Sequence, residues 1–160
     1  MIRPATPSDI PAILALIREL AAYEHLSHAC IATEPLLTQH LFGPHPAAET
    51  LVAEQGGTIV AYALFFKTFS TFLARPGIFL EDLYVQPPYR RQGLGKALLQ
   101  HLAQLAIQRH YGRLEWSVLN WNAPSIAFYK SLGAVPLDEW TMMRLTGDAL
   151  SAFANEASQK

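Results

Sequence analysis

The sequence predicts an α/β protein folded as a single domain over residues 1–160, with a mixed, mostly antiparallel sheet and helices on both of its faces. Three observations carry this. A length of 160 residues falls close to the usual size of one domain. Two β-branched and aromatic runs, Thr50 to Glu54 and Ile59 to Phe66, flank Gln55-Gly56-Gly57-Thr58, a hairpin signal. A third strand-like run, Ile78 to Val85, is stopped by Pro87-Pro88 and followed by a helical period from Gly93 to Arg109.

The chain opens with a short extended segment ending at Thr6. Ser8 is placed to cap a helix whose Ile10, Ile13, Leu14, Ile17, Leu20 and Ala21 recur at spacings of three and four. Pro11 falls in its first turn, where the missing N–H is tolerated. The period is lost over Tyr23 to Ile31. A second short helix starts near Thr33 with Leu36, Leu37 and Leu41, and Pro44 and Pro46 end it. The two hairpin strands come next, and Pro76-Gly77 breaks the chain before Ile78 to Val85. From Gly93 to Arg109, Leu94, Ala97, Leu98, Leu102 and Leu105 form an apolar stripe opposite Lys96, Gln100, Gln104 and Gln108. Leu114 to Leu119 reads as a strand. Asn122 and Pro124 open a helix that Gly133 closes, and Trp140 to Leu145 reads as a last strand. The expected order is β, α, α, β, β, β, α, β, α, β.

Composition excludes several classes of function. Hydrophobic residues make up 51% and charged residues 16%, so the chain folds rather than staying disordered. A net charge of −1 leaves no excess of Lys and Arg to neutralise phosphates, and no nucleic-acid partner is expected. The longest apolar stretch, Ile59 to Phe66, is far short of the ~20 residues of a membrane helix. Met1-Ile2-Arg3-Pro4 does not follow the plan of a signal peptide, so a cytoplasmic protein is expected. Cys30 is the only cysteine, which excludes an internal disulfide and a multi-cysteine metal site. No metal is expected at His25, His28, His40 or His45, which have no cysteine partner. High apolar content with low charge leaves surface to cover, and a homodimer is expected.

Arg90-Arg91-Gln92-Gly93-Leu94-Gly95-Lys96 sits between a strand and the N-terminus of the most amphipathic helix. Unpaired N–H groups and the positive end of the helix dipole then point into one small volume, which suits a pyrophosphate. Gly93 and Gly95 admit the anion to the backbone, while Arg90, Arg91 and Lys96 add charge. The rival reading is a solvated tight turn. The pattern is neither a Walker A loop nor a G-x-G-x-x-G fingerprint. Charge is also divided along the chain. Residues between Asp82 and Glu115 include Arg90, Arg91, Lys96, Arg109 and Arg113 and no acid, whereas residues 4–66 carry Asp9, Glu19, Glu24, Glu34, Glu49 and Glu54 against Arg18 alone. A polyanionic donor and a cationic acceptor would suit the two regions.

The Arg-x-x-Gly-x-Gly turn, with Asn122-x-Pro124-Ser125 and Phe128-Tyr129 further on, resembles the GNAT acetyltransferase superfamily across nearly the whole chain. Ile2-Arg3-Pro4-Ala5-Thr6, Glu19-Leu20-Ala21 with Tyr23-Glu24, Leu80-Glu81-Asp82 and Trp121 to Lys130 are similar to its diamine (spermidine/spermine) acetyltransferase subfamily. The resemblance implies a GNAT-like domain whose central strands splay. It implies acetyl-CoA as cosubstrate, its pyrophosphate on the main chain of Arg91, Gln92, Gly93, Leu94, Gly95 and Lys96. The pantetheine arm would pair with Leu83, Tyr84 and Val85, with Asn122, Ser125 and Tyr129 on the opposite wall. Tyr23, Glu24, Glu81, Asp82, Glu115, Trp116 and Ser117 match positions that line the acceptor site.

The chemistry of amine acylation sets the catalytic roles. A protonated amine has no lone pair, so a carboxylate must take its proton directly or through water, and Glu81 is the candidate. N–H donors near Tyr84 would hold the developing oxyanion, and Tyr129 would protonate the departing thiolate. Each has a structural rival. Tyr129 beside Phe128 could be a core aromatic, and Trp116 could be core. Glu81 and Asp82 alternate across a strand, so regular geometry aims at most one into a cleft unless a bulge re-aims the other. Cys30 has no recognisable activating His-Asp pair, so direct transfer is expected.

Two departures bear on the substrate. The segment His25-Leu26-Ser27-His28-Ala29-Cys30 is less acidic than in the diamine enzymes, and Val135 to Trp140 is shorter, leaving an acceptor contact ambiguous between Asp138 and Glu139. The expected function is acetyl transfer to the primary amine of a small molecule, a diamine or polyamine first. The alternatives are a thialysine- or lysine-like amino acid, a protein N-terminus, or a non-catalytic CoA-binding module.

Overall fold

The structure, a computed structural model, describes residues 1–156 and divides the chain into two compact units, Met1–Ser117 and Val118 onward. Residues 157–160, the end of the expected single domain, lie outside the described residues. The first unit runs β1 (Ile2–Pro4), α1 (Ile10–Tyr23), α2 (Glu34–Phe42), β2 (Glu49–Gln55), β3 (Thr58–Ser70), β4 (Arg75–Val85), α3 (Leu94–Gln108) and β5 (Leu114–Trp116). Its five strands lie in one sheet in sequence order, β1 to β4 antiparallel and β4 with β5 parallel.

Helices cover both faces of that sheet. Ile13 and Leu16 of α1 pack against Val52, Tyr62 and Tyr84, three residues that share one face. In α3 the buried side is Leu98, Leu99, Leu102 and Ala106. The start of α3 lies over Val85, since a Cβ at Gly95 would sit 3.9 Å from its Cγ2. Val85 is next to Tyr84 in β4 and so faces the opposite side.

Ser8 does not cap α1; it lies inside a 3-10 turn, Pro7–Asp9. Asp9 organises this corner instead. Its carboxylate accepts from the Thr6 N–H at 2.7 Å, the Thr6 hydroxyl at 2.9 Å and both terminal nitrogens of Arg3 at 2.7 and 3.0 Å. A buried carboxylate outcompetes a serine hydroxyl because its charge is met by a guanidinium from the neighbouring strand. Helix α2 starts beside Thr33 as expected, and Thr33 Oγ1 caps it by accepting from the Leu36 N–H.

Strand β4 is irregular on both of its edges. Leu64 pairs with Asp82 but Phe65 pairs with Leu80, so Glu81 is an extra residue, a bulge. On its other edge β4 pairs with β5 only over Ile78, Phe79 and Leu80. Beyond Leu80 the pairing stops because β5 ends at Trp116.

The second unit contains α4 (Ala123–Ser131) and α5 (Gly147–Glu156). The expected strand at Trp140 to Leu145 does not form, and β5 ends at Trp116 rather than Leu119. β-propensity is realised only against a partner strand, and among the described residues none pairs with Trp140 to Leu145. Helix α5 has no counterpart in the expected order; Asp148 in its first turn and the Ala149, Ala152 and Ala154 content are the signals that point to it.

Candidate active site

The basic turn combines two unusual conformations with a helix start. Arg91 has φ 62° and Gly93 φ 83°, so both lie in the left-handed region, and Gly93 is the N-cap of α3. A left-handed residue leading into a helix makes a concave row of N–H groups. Ala97 N–H bonds to Gly93 O at 2.9 Å, whereas Leu94, Gly95 and Lys96 precede the first intrahelical acceptor. Gly93 is explained by its φ. Gly95 is not: a Cβ there would make only an ordinary contact with Val85. The space above Gly95 is therefore left open by the fold and available to a ligand.

Arg91, Gln92 and Lys96 are exposed around this turn, but Arg90 is engaged elsewhere. Its Nε donates to Val85 O at 2.8 Å, and its guanidinium lies 5.1 Å from the Tyr23 ring centre and 5.4 Å from that of Tyr84. It links the end of α1 to the end of β4. The anion's charge is left to Arg91 and Lys96.

Along β4 the main-chain groups divide by alternation. Gln86 N–H bonds to Val60 O, so residues 86, 84 and 82 address β3 while Leu83 and Val85 address the other edge. That is the edge where β5 has ended. A ligand could add there as a strand would.

On the α1 side of the sheet, β4 and the end of α1 bring polar groups together. Tyr84 donates to Glu19 Oε2 at 3.1 Å and Gln86 to Glu19 Oε1 at 2.9 Å. Burial, then the Glu19 hydrogen bond, holds the Tyr84 hydroxyl above its ordinary pKa. Tyr62, fully buried, donates to Asp82 Oδ2 at 3.0 Å. Burial pushes Asp82 up to about 6 against the lowering effect of Tyr62, with the charges of Glu81 and Glu24 adding to the rise. Burial also raises Glu24, which caps the C-terminus of α1. Glu81, the bulge residue, is exposed. Arg18, Ala21, Ser27 and Cys30 line an open cavity of about 270 Å³ at this end of α1.

Glu115 is paired with Arg113 at 2.7 Å, beside half-buried Trp116 and exposed Ser117. Of the sequence candidates, Tyr23, Glu24, Glu81, Asp82, Leu83, Tyr84, Val85, Arg90 to Lys96 and Glu115 to Ser117 belong to the first unit. Asn122, Ser125, Tyr129, Asp138 and Glu139 belong to the second. Asn122 caps α4, its Oδ1 accepting from the Ser125 N–H at 3.3 Å. Half-buried Tyr129 lies 5.4 Å from the Phe128 ring. Two polar residues take part here for which no site role is expected from the sequence, Tyr62 and Glu19. Tyr62 stands in an apolar run and reads as core; its only signal is a hydroxyl among Ala61, Ala63 and Leu64 that must find a partner once buried.

Residues 17–134 match the Acetyltransferase (GNAT) family. The chain belongs to the GNAT acetyltransferases. A thialysine N-ε-acetyltransferase of Bos taurus is 39% identical over 98% of this chain and 98% of its own length. An L-ornithine N5-acetyltransferase of Arabidopsis thaliana is 33% identical over 95% of this chain and 86% of its own. A spermidine/spermine N(1)-acetyltransferase-like protein of Homo sapiens is 33% identical over 97% of this chain and 24% of its own. Among solved structures, an integron cassette protein of V. cholerae superposes with a TM-score of 0.81, at 25% identity and 96% coverage of both chains.

The chain is thus an N-acetyltransferase acting on amines, with acetyl-CoA as donor, as in the GNAT family. The residues present suit that donor. The open cradle at Gly95, the concave N–H groups around Gly93 and the exposed Arg91 and Lys96 fit a pyrophosphate. No helix among the described residues is long and apolar enough to cross a membrane.

Proposed function

We propose that the chain, acting as one catalytic domain over residues 1–160, acetylates the side-chain amine of a small cationic amino acid of the thialysine or ornithine type. The observation that carries this is that Glu81 and Asp82 are adjacent in β4, just beyond its pairing with β5, and that the charge of Glu24, at the end of α1, reaches Asp82. Two or three acids suit one or two ammonium groups of a compact substrate. The bovine and Arabidopsis relatives act on such amines by name. A diamine or polyamine is the second reading, favoured by the same carboxylates and by the spermidine/spermine-type relative.

In the proposed mechanism the N–H groups of Leu94, Gly95 and Lys96 hold the pyrophosphate, and the main chain of Leu83 and Val85 holds the pantetheine arm. When bound, acetyl-CoA supplies an acyl thioester with a good leaving group. One of the two adjacent β4 carboxylates, Glu81 or Asp82, takes the ammonium proton, and main-chain N–H near Tyr84 meets the charge that develops on oxygen. Tyr129 donates a proton to the departing sulfur, with Asn122 and Ser125 holding the start of α4 in position. Tyr23, Glu115, Trp116 and Ser117 contact the acceptor.

A cytoplasmic homodimer is the proposed setting. Val135, Trp140 and Met143 are 79%, 79% and 86% exposed, apolar surface that a second copy would cover. The test of the substrate is kcat/KM for thialysine, ornithine, lysine, putrescine, spermidine and a short peptide. Thialysine or ornithine leading by about tenfold or more supports the reading; spermidine or the peptide leading overturns it.

A further inference from the structure

Resting on the proposed acetyl transfer to a small amine, we infer that Asp82, held by the Tyr62 hydroxyl, is the group that accepts the proton from the substrate ammonium, with Tyr62 as its positioning residue. The sequence pattern alone points to Glu81 for that task. The geometry gives it to the next residue.

The bulge separates the two carboxylates. Glu81 is the extra residue between two paired positions, and it is exposed. The extra residue of a bulge is left without a pairing partner on the facing strand. Asp82, by contrast, is paired across from Leu64, half-buried, and anchored at Oδ2 by a hydroxyl that is itself completely buried. A catalytic base works by being held at one distance from the proton it takes.

Tyr62 points to the same residue. A phenol at 0% exposure in the core beside Ile13, Leu16, Val52 and Tyr84 costs a desolvated hydroxyl that phenylalanine would avoid. That hydroxyl commits its one proton to Asp82. Oδ2 already accepts one hydrogen bond, whereas among the described residues Oδ1 accepts none and is the oxygen open to a proton.

The groups that set the protonation of Asp82 come from three elements. Tyr62 of β3 favours the carboxylate. Glu81 of β4 and Glu24 at the end of α1 oppose it by like charge, and burial opposes it most. Cys30 and Glu24 act in turn on Tyr62, whose own proton burial holds well above the ordinary phenol range. Tyr62 therefore keeps its proton, and Asp82 is the member of the pair that titrates, pushed up to about 6, toward the range in which a carboxylate serves as a base. In the step itself the ammonium N–H bond breaks, the electron pair stays on nitrogen as the attacking lone pair, and the proton goes to Asp82 Oδ1 and from there to solvent.

The test pairs a titration of the protein alone with kinetics. Asp82 Cγ is followed by carbon NMR in the ligand-free protein, and kcat/KM is measured against pH for the parent, Tyr62→Phe, Asp82→Asn and Glu81→Gln. The expected carboxyl midpoint is about 6 in the parent, and it rises by about one pH unit in Tyr62→Phe, which removes a hydrogen bond to the charged form. The acid limb of kcat/KM moves with it, persists in Glu81→Gln and is lost in Asp82→Asn. Acetyl-CoA binding by calorimetry shows that each variant is folded. An acid limb that survives in Asp82→Asn and vanishes in Glu81→Gln overturns the inference, as does an Asp82 midpoint that Tyr62→Phe leaves in place. If the parent turns over no amine, the proposed function has failed, and the NMR midpoints still decide whether Tyr62 sets the state of Asp82.

Discussion

Gly95 separates what the fold needs from what a ligand needs. Nothing in the chain crowds its missing Cβ, since the nearest atom, Val85 Cγ2, would be 3.9 Å away. It lies in the first turn of α3, in a conformation that any residue can adopt. Gly95→Ala should therefore stabilise the free protein by about 0.4–1 kcal/mol, because the unfolded chain has less freedom to lose. At this chain length that is a rise in Tm of roughly 1–4 °C. The same methyl group would enter the space assigned to the pyrophosphate and lengthen one or two charge-assisted N–H bonds. At about 1.5–3 kcal/mol for such a bond, acetyl-CoA affinity should fall roughly tenfold to hundredfold. Gly93→Ala provides the contrast. With φ 83° at that position, it should cost about 1–2 kcal/mol of stability before any ligand is considered. Thermal unfolding and isothermal calorimetry with acetyl-CoA measure both quantities on the same samples. A Gly95→Ala protein that melts higher and binds acetyl-CoA as tightly as the parent would refute the assignment of this turn.

Tyr129→Phe should lower kcat by roughly a hundredfold or more while changing acetyl-CoA affinity little, since a proton donor acts in the transition state; stopped-flow kinetics with calorimetry checks this, and equal kcat removes the role. Asp9 gives a stability prediction. The hydrogen bonds from Arg3 hold its carboxyl below the usual range, opposed by burial and aided by the Thr6 N–H and hydroxyl. Because the folded pKa is the lower one, this contribution is complete above the unfolded value of ~3.9 and is lost as pH falls below it. Unfolding midpoints between pH 7 and 3 should therefore fall more steeply in the parent than in Asp9→Asn, and parallel curves would contradict this.

The parts of the fold that are legible in the sequence are those fixed by local period and turn chemistry. Helix α3 is expected from Gly93 to Arg109 and runs Leu94–Gln108, because one stripe of leucines and alanines and one glycine cap determine it. The hairpin around Gly56 and Gly57 is likewise written in two glycines that both adopt positive φ. What sequence cannot carry depends on partners distant in the chain. The run Trp140 to Leu145 has the composition of a strand and is not one, since composition supplies no facing edge.

The site divides in the same way. The turn from Arg90 to Lys96 is legible because glycine spacing, basic charge and a helix start coincide within seven residues. The diversion of Arg90 onto Tyr23, Tyr84 and Val85 is not, because it requires the end of α1 to meet the end of β4. The bulge at Glu81 arises from a register shift against β3, which no local pattern in β4 encodes. Tyr62 stays hidden for the same reason: its role depends on being across from Tyr84 and within reach of Asp82.

The central claim is that this chain moves an acetyl group from acetyl-CoA to the amine of a small cationic amino acid. The direct test is mass spectrometry of the products after incubation with isotopically labelled acetyl-CoA and thialysine or ornithine, with free thiol tracked in parallel. The expected result is one labelled acetyl group on the side-chain amine, with CoA released in equal amount. Acetyl-CoA bound by the protein while both amines stay unlabelled would contradict it.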